Sequence, residues 1–319
     1  MSRTLRRCLT VLLAAALIGG MVLALASHRR PFVHAIDGAT FATLMLAAAL
    51  HLGSVLARSE AWMVSVRAAG GKLGRRGSYQ IASLGFAANV LSPSLGTAVR
   101  IWALRTTARD EAPSAPALVA AEAPVLAIQA LATAVMSVSL VGPLGVPWWT
   151  PLAARAAAGG LFLALSRVAR RADGAWRGLA ALRDGRARCR IGASIALIAA
   201  CETTRNLLVL HAVGLDAGPL EAMALLVGAG LLGTLPIGPS TSAGAAMLIF
   251  GAGGIGPAAA AGVLLTATSF AADLGYAAWG AADMLWRPWP GRLRRLPRAA
   301  DLGAAVGFAS VALSAFAWP

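Results

Sequence analysis

The chain has 319 residues, of which 58% are hydrophobic and only 13% are charged, and its mean hydropathy is +0.71. Soluble domains carry about 25% charged residues, so this composition excludes a soluble globular protein and predicts an all-α polytopic membrane protein. The net charge of +15 does not indicate nucleic-acid binding, because Arg and Lys lie between apolar segments and aromatic residues do not alternate with them. We therefore predict a single integral membrane domain over 1–319.

The first apolar segment, Leu9–Ala26, is long enough to span a bilayer, and three arginines precede it. We predict an uncleaved first span, or signal anchor, with a cytoplasmic N-terminus. The Arg-rich start and the small residues Ala24 and Ala26 also fit a cleaved signal peptide. The sequence leaves these two interpretations open.

A second span is predicted over Asp37–Ala57, and an interrupted segment follows the basic loop behind it. Tyr79–Leu91 is too short to cross a bilayer, and Pro93 separates it from a second short piece that ends at Leu104. Broken backbone at membrane depth leaves N–H and C=O groups that only protein or cavity water can satisfy. The pattern therefore predicts a re-entrant hairpin over Tyr79–Leu104.

The rest of the chain continues in the same way, with four more full spans, one more interrupted segment and a last span at the C-terminal end. The second interruption contains Pro236, Gly238 and Pro239, and it predicts a second hairpin over Leu220–Phe250. Trp148 and Trp149 open one of the spans as an interfacial pair. The four spans are predicted over Ala115–Val141, Val146–Leu165, Ile191–Val213 and Pro257–Trp286, and a seventh span, Leu302–Trp318, ends the chain.

Seven full spans and two opposed hairpins give a consistent topology, because every Arg-rich loop then lies in the cytoplasm. We expect the loops around Arg75, Gly178 and Arg295 on that side. The first hairpin would enter from the cytoplasm and the second from outside, as in an inverted repeat. Pro93 and Pro236 are 143 residues apart, as are Gly85 and Gly228. We predict that the two prolines lie near one another at the hairpin tips.

Several ionisable residues lie within the predicted spans, where charge is costly and usually functional. Glu202 and Arg205 are three residues apart, so they share a helical face and can pair. The alternative for this pair is a self-neutralised structural contact between helices, and Asp273 would need a partner or water. We predict that these residues line a polar path: Glu122, Glu202, Arg205 and Asp273.

Arg100 lies at the end of the first predicted hairpin. Together with Asn89 it is predicted to form an anion-binding site. Asn offers amide donors, and Arg offers a fork of N–H groups that matches a phosphate. The alternative for Arg100 is an arginine that snorkels to the cytoplasmic face. Glu60 and Trp62 are interpreted as interfacial anchors. The full set of predicted substrate-binding residues is Asn89, Pro93, Gly96, Arg100, Pro236, Gly238 and Pro239.

No motif indicates a cofactor, a metal or a catalytic centre. Cys8, Cys189 and Cys201 lack CxxC spacing, and the four histidines form neither HxxxH nor HExxH. Gly-rich tracts fit close helix packing through small residues better than a nucleotide-binding loop. We therefore expect no metal, no cofactor and no enzymatic activity.

Over roughly 58–286 the chain resembles the lysylphosphatidylglycerol synthase transmembrane family, also called the flippase-like membrane domain. The resemblance depends on these residues, which occur in the family's order: Arg58, Trp62, Asn89-Val-Leu-Ser-Pro93-Ser-Leu-Gly96, Arg100, Ala120-Ala121-Glu122 and Leu235-Pro236-Ile237-Gly238-Pro239. It implies a bacterial inner-membrane protein that handles an anionic lipid and carries it between leaflets.

The chain departs from the family at two places. The family has Glu-Arg where this chain has Glu122 followed by Ala123, and no acidic residue follows the late Pro-Gly segment. A role for that late Glu does not carry over, and without an aminoacyl-transferase domain we expect no lipid aminoacylation. The alternatives to lipid translocation are an accessory protein or enzyme of envelope glycolipid assembly and a non-catalytic scaffold. A homo-oligomer or an envelope-biosynthesis partner fits each of them.

Overall fold

The computed structural model describes residues 29–89, 93–107, 112–171, 173–233, 241–251 and 254–286. These residues form helices and turns with no strand among them, which confirms the all-α prediction. The eleven α-helices that can be bounded in these ranges are α1 (Arg29–Asp37), α2 (Phe41–Ala68), α3 (Arg75–Asn89), α4 (Pro93–Thr107), α5 (Ala115–Ala120), α6 (Glu122–Met136), α7 (Thr150–Arg170), α8 (Gly185–Ala212), α9 (Pro219–Leu232), α10 (Thr241–Phe250) and α11 (Ile255–Trp286).

Five helical segments of the described chain are long and apolar enough to cross a membrane. They correspond to the five spans predicted between 37 and 286, so the chain is a membrane protein with several transmembrane helices. The predicted spans Leu9–Ala26 and Leu302–Trp318 lie outside the described residues. The five segments are Phe41–Ala68, Ala115–Leu140, Thr150–Arg170, Gly185–Ala212 and Ile255–Met284.

The second predicted span was placed too early in the chain. Sequence reasoning ended it at Ala57, before the first arginine, whereas α2 begins at Phe41 and continues to Ala68. The added part stays helical because its apolar side chains, among them Trp62 and Val66, pack into a buried cluster with α3, α4 and α5. Trp62 is only 2% exposed, so its interpretation as an interfacial anchor was wrong.

Each interrupted segment folds into a pair of short helices that pack against one another. In the first pair, Gly85 of α3 contacts Arg100, and Gly96 of α4 contacts Asn89, so the two helices run antiparallel. In the second pair, Gly228 of α9 faces Ile249 of α10 and Gly244 faces Leu232, again antiparallel.

The described chain divides into two compact units. Unit 1 includes Met136–Thr150 and Ala200–Ser269 with the chain up to His51, and it contains the α9–α10 pair. Its core is a cluster of small and branched apolar side chains from α2, α8, α9, α10 and α11. Unit 2 includes Leu52–Val135, Pro151–Ala199 and the chain from Phe270, and it contains the α3–α4 pair.

The helices recur along the chain at the spacing of 143 residues that separates Pro93 from Pro236. A shift of 143 carries α2 onto 184–211, α3 onto 218–232, α4 onto 236–250 and the Ala115–Leu140 span onto 258–283. The observed helices in those places are α8, α9, α10 and α11, and most of their ends agree within three residues. The order span, short pair, span therefore occurs twice, with α7 between the two copies.

The sequence predicted a loop around Gly178, but the residue lies in regular structure. It lies in a 3₁₀ helix, Gly174–Leu182, and is buried against α5. A Cβ atom at Gly178 would collide with backbone atoms of Ala117, Ala120 and Ala121. The absence of a side chain is what lets this segment pack onto the helix, so position 178 cannot report solvent access.

A paired substitution on α11 tests how tightly the second helix pair is held. A Cβ at Gly262 would meet backbone and Cβ atoms of Ala243 on α10, whereas Gly275 on the same helix has open space around it. Overpacking of this kind costs typically about 1–3 kcal/mol. We expect Gly262→Ala to lower the apparent Tm of the purified protein clearly, and Gly275→Ala to leave it unchanged or slightly raised. Equal melting of the two variants would contradict this packing.

Candidate functional site

Three of the predicted substrate-binding residues come together in unit 2. The aliphatic stem of Arg100 lies across Gly85, where any Cβ atom would strike its Cγ and Cδ. Gly96 is covered in the same way by the side-chain amide of Asn89 and the carbonyl of Gly85. The two glycines thus let α3 and α4 approach closely enough for Arg100 to lie over Gly85 and for Asn89 to lie over Gly96.

The guanidinium of Arg100 is buried, at 8% exposure, with only loose polar contacts. Its Cζ lies 5.6 Å from the centroid of the Trp62 ring, a cation–π contact. Its Nη2 donates to Thr97 Oγ1 at 3.3 Å and lies 3.5 Å from Glu122 Oε1. Among the described residues, neither Nε of Arg100 nor Oε1 of Glu122 has a hydrogen-bond partner. Buried charges are normally fully paired, so this guanidinium retains capacity for another anion.

Trp62 and Thr97 complete the Arg100 site, and sequence reasoning did not find them as site residues. Thr97 stands three residues before Arg100, a spacing that places both on one helical face. That spacing was visible in the sequence. The contact between Trp62 and Arg100 joins α2 to α4, which are far apart in the sequence, so no local pattern predicts it.

A second polar cluster lies within unit 1. Arg205 Nη1 is 3.1 Å from Glu202 Oε2, and both residues are 6% exposed. His51 of α2 joins them: its Nδ1 lies 2.7 Å from Glu202 Oε1 and also contacts Arg205 Nη1. Arg205 Nη1 further donates to Ser269 Oγ of α11 at 2.9 Å. We call His51, Glu202, Arg205 and Ser269 the histidine cluster.

His51 was missed as a site residue because it belongs to no recognisable motif. The available signal was its position inside a predicted span, where any ionisable side chain is costly and marks function by default. Ser269 carried no such signal. Asn206, the neighbour of Arg205, is also buried and donates through Nδ2 to the carbonyl of Ala222 on α9 at 3.2 Å.

The remaining predicted site residues are distributed differently. Asp273 is half-buried on α11, in unit 2, one helical turn after Ser269. Pro93 is the first residue of α4, the position where proline costs a helix nothing. Pro236, Gly238 and Pro239 lie outside the described residues, so their role and the proximity of the two prolines stay predictions.

Two carboxylates hold the N-terminal turn of α3. Glu60 accepts from Tyr79 Oη and from Arg190 Nη2, both at 2.9 Å, and pairs with Arg75. Asp283 accepts from Gln80 Nε2 at 2.6 Å and pairs with Arg76. Burial, reinforced by the hydrogen bond to Glu60, raises the pKa of Tyr79, so the phenol stays protonated and donates at neutral pH. Glu60 is thus a bridging carboxylate between helices.

No protein-family model, curated protein or solved structure matches this chain. Within the parts of the chain that the structure describes, no group of three or more His, Cys, Asp and Glu side chains could hold a metal ion. What these two polar clusters do must therefore be inferred from their own geometry and charge.

Proposed function

We propose that this protein binds an anionic phospholipid through Arg100 and moves it between the leaflets of the bacterial inner membrane. The observation that carries the proposal is the buried, incompletely paired guanidinium of Arg100 on the α3–α4 pair. The resemblance of the 58–286 region to flippase-like membrane domains supports the same substrate class.

The chemistry of the site suits a phosphodiester. A guanidinium presents its N–H groups in a planar fork that binds two phosphate oxygens at once, and the bonds are charge-assisted. Asn89 offers further amide donors on the same helix pair. Trp62 covers one face of the guanidinium, so an anion would approach from the edge that now faces Glu122.

Glu122 acts in this proposal as the resident anion of the empty site. Its carboxylate lies 3.5 Å from Arg100, too far for a strong hydrogen bond, and it is displaced when the lipid phosphate binds. The exchange keeps Arg100 neutralised in both states, which lowers the cost of burying its charge. Release of the lipid is then assisted by the return of Glu122.

The proposed membrane arrangement has seven full spans, two re-entrant hairpins, a cytoplasmic N-terminus and an inner-membrane location. The duplicated order of helices supports it, because the single span α7 between the copies would reverse the direction of the second copy. In transporters built from inverted repeats, broken helices hold the substrate and expose it to each side in turn. In this arrangement the first hairpin would enter the membrane from the cytoplasm and the second from the outside.

A leaflet-transfer assay tests the function directly. Purified protein would be reconstituted into vesicles that contain fluorescent phosphatidylglycerol or fluorescent phosphatidylcholine, and the outer leaflet would be quenched chemically. We expect protein-dependent transfer of the anionic lipid and much slower transfer of the zwitterionic one. Transfer no faster than in protein-free vesicles would overturn the proposal and favour an accessory or scaffold role.

Glu122→Gln should raise the affinity for anionic lipid. The variant keeps the shape of the side chain but removes the charge that competes with phosphate, which we expect to gain about 1 kcal/mol, roughly fivefold in binding. Asp184→Asn is the control, because it removes the same charge at an exposed position outside the site. Binding to phosphatidylglycerol nanodiscs measures both. Weaker binding by Glu122→Gln would mean that Glu122 supports the ligand and does not compete with it.

The topology can be tested through the native Cys189, which is exposed near the start of α8 among several arginines. With Cys8 and Cys201 replaced by Ser, we expect an impermeant maleimide to label Cys189 only after cells are opened, since Arg-rich segments stay in the cytoplasm. A cysteine at the exposed Leu144 position should be labelled in intact cells. Labelling of Cys189 from outside would invalidate the orientation.

A further inference from the structure

The histidine cluster joins three transmembrane helices near their middles. His51 is the eleventh of 28 residues in α2, Glu202 the eighteenth of 28 in α8, and Ser269 the fifteenth of 32 in α11. At 1.5 Å per residue, each lies at least about 15 Å from either end of its helix. Since the hydrocarbon core is about 30 Å thick, the cluster belongs to the membrane interior, where ionisable groups mark ion or proton pathways.

The contacts of His51 Nδ1 cannot all be satisfied with one arrangement of protons. When Nδ1 carries no hydrogen, it can accept a hydrogen bond from Arg205 Nη1. It then cannot bond to an ionised Glu202, because a carboxylate and a bare ring nitrogen are both acceptors. With a hydrogen, Nδ1 donates to Glu202 Oε1, and Arg205 can no longer donate to it. Arg205 then keeps Ser269 Oγ and Glu202 Oε2 as acceptors. The cluster therefore has two states that differ in whether Nδ1 carries a hydrogen and in the partner of Arg205, and when Nε2 keeps its hydrogen in both, these states differ by one proton.

We propose that His51, Glu202 and Arg205 form a proton-binding site, and that the proton taken up there drives lipid transfer; this second part rests on the proposed function. Uptake forms one N–H bond at Nδ1 and converts the imidazole to an imidazolium, whose charge is balanced by Glu202. The proton comes from a hydronium ion on one side of the membrane, whose O–H bond breaks to leave water, and it returns to water on the other side when the N–H bond breaks. His51 has a more accessible side chain, at 16% exposure, than Glu202 or Arg205, which suits it to take up the proton.

The surroundings of the site connect it to the second helix pair. Asn206, next to Arg205, is hydrogen-bonded to Ala222 of α9, and α11 contacts Ala243 of α10 through Gly262. A change in the partner of Arg205 would therefore act on helices that hold the α9–α10 pair. Two other titratable groups lie near the cluster in the sequence: Cys201 on α8, adjacent to Glu202, and Asp273 on α11, one turn beyond Ser269.

Nitrogen NMR of the protein in lipid bilayers tests the proton site without reference to transport. With His28, His34 and His211 replaced by Gln, a [¹⁵N]histidine label reports on His51 alone. We expect the Nδ1 signal to change from the unprotonated to the protonated position between about pH 5 and pH 8, the range in which His titrates. We expect Glu202→Gln to shift this transition to lower pH. A signal that is constant over that range would overturn the proton site.

A pH gradient across proteoliposomes tests the coupling. For one proton per lipid, each unit of pH difference should change the ratio of anionic lipid between leaflets about tenfold at equilibrium. His51→Asn, which keeps an amide near the position of Nδ1 but cannot be protonated, should abolish this response, and His211→Gln, exposed on the same helix as Glu202, should keep it. If the wild type transfers lipid but the leaflet ratio does not depend on the pH gradient, the coupling is wrong and the flippase proposal still stands. A titrating His51 with no lipid transfer overturns the proposed function and the coupling, and leaves the proton site standing.

Discussion

Arg100→Ala should weaken the binding of anionic phospholipid by roughly tenfold to a hundredfold and slow leaflet transfer accordingly. The expected loss is that of a charge-assisted, bidentate phosphate contact at a largely desolvated site, about 1.5–3 kcal/mol. Arg155→Ala is the matched control. Arg155 is exposed on α7 and donates a hydrogen bond from Nη2 to the carbonyl of Val135 at 3.2 Å. That variant should bind and transfer lipid as the wild type does.

Two further variants separate the charge of Arg100 from its packing. Arg100→Gln keeps part of the stem over Gly85 but removes the charge, and it should lose nearly as much binding as Arg100→Ala. Arg100→Lys should recover only part of the loss, because an ammonium is a point charge without the planar fork. If the folded Ala and Gln variants bind phosphatidylglycerol as tightly as the wild type, Arg100 is a structural residue held by Trp62 and Glu122.

Breaking the Glu202–Arg205 pair should cost more stability than any other change considered for this protein. Removing one partner of a buried ion pair leaves an uncompensated charge and costs about 3–5 kcal/mol. Both Glu202→Ala and Arg205→Ala should therefore lower the apparent Tm strongly. The double variant should lose clearly less than the two single losses combined, because no lone charge is left behind.

Arg190→Ala serves as the comparison for that experiment. Arg190 pairs with Glu60 but is 59% exposed, and an exposed pair contributes at most about 1 kcal/mol. Its apparent Tm should stay near that of the wild type. Additive losses in the Glu202 and Arg205 double variant would show that the two side chains stabilise the protein independently, and the histidine cluster would then not act as one unit.

Local pattern alone was enough to predict the class of the protein and the places where its helices break. A run of about 20 apolar residues can satisfy its backbone in a bilayer only as a helix, so five of the predicted spans are observed in the described chain. Pro93 and the glycines around it similarly predicted that a short helix pair would replace a full span. Asn89, Gly96 and Arg100 meet because they belong to this one pair, in which sequence neighbours are also neighbours in space.

Contacts between distant helices could not be predicted in this way, and the tertiary structure decided them. His51 joins Glu202 across 151 residues, and Trp62 of α2 lies over Arg100 of α4. In a soluble helix, the polar face would indicate which residues turn inward, but a transmembrane helix such as α2 is apolar around most of its circumference. Close packing through small residues then selects the faces that meet. The sequence therefore determined which segments enter the membrane and where they break, whereas packing alone determined that a histidine, a glutamate and an arginine meet in one cluster.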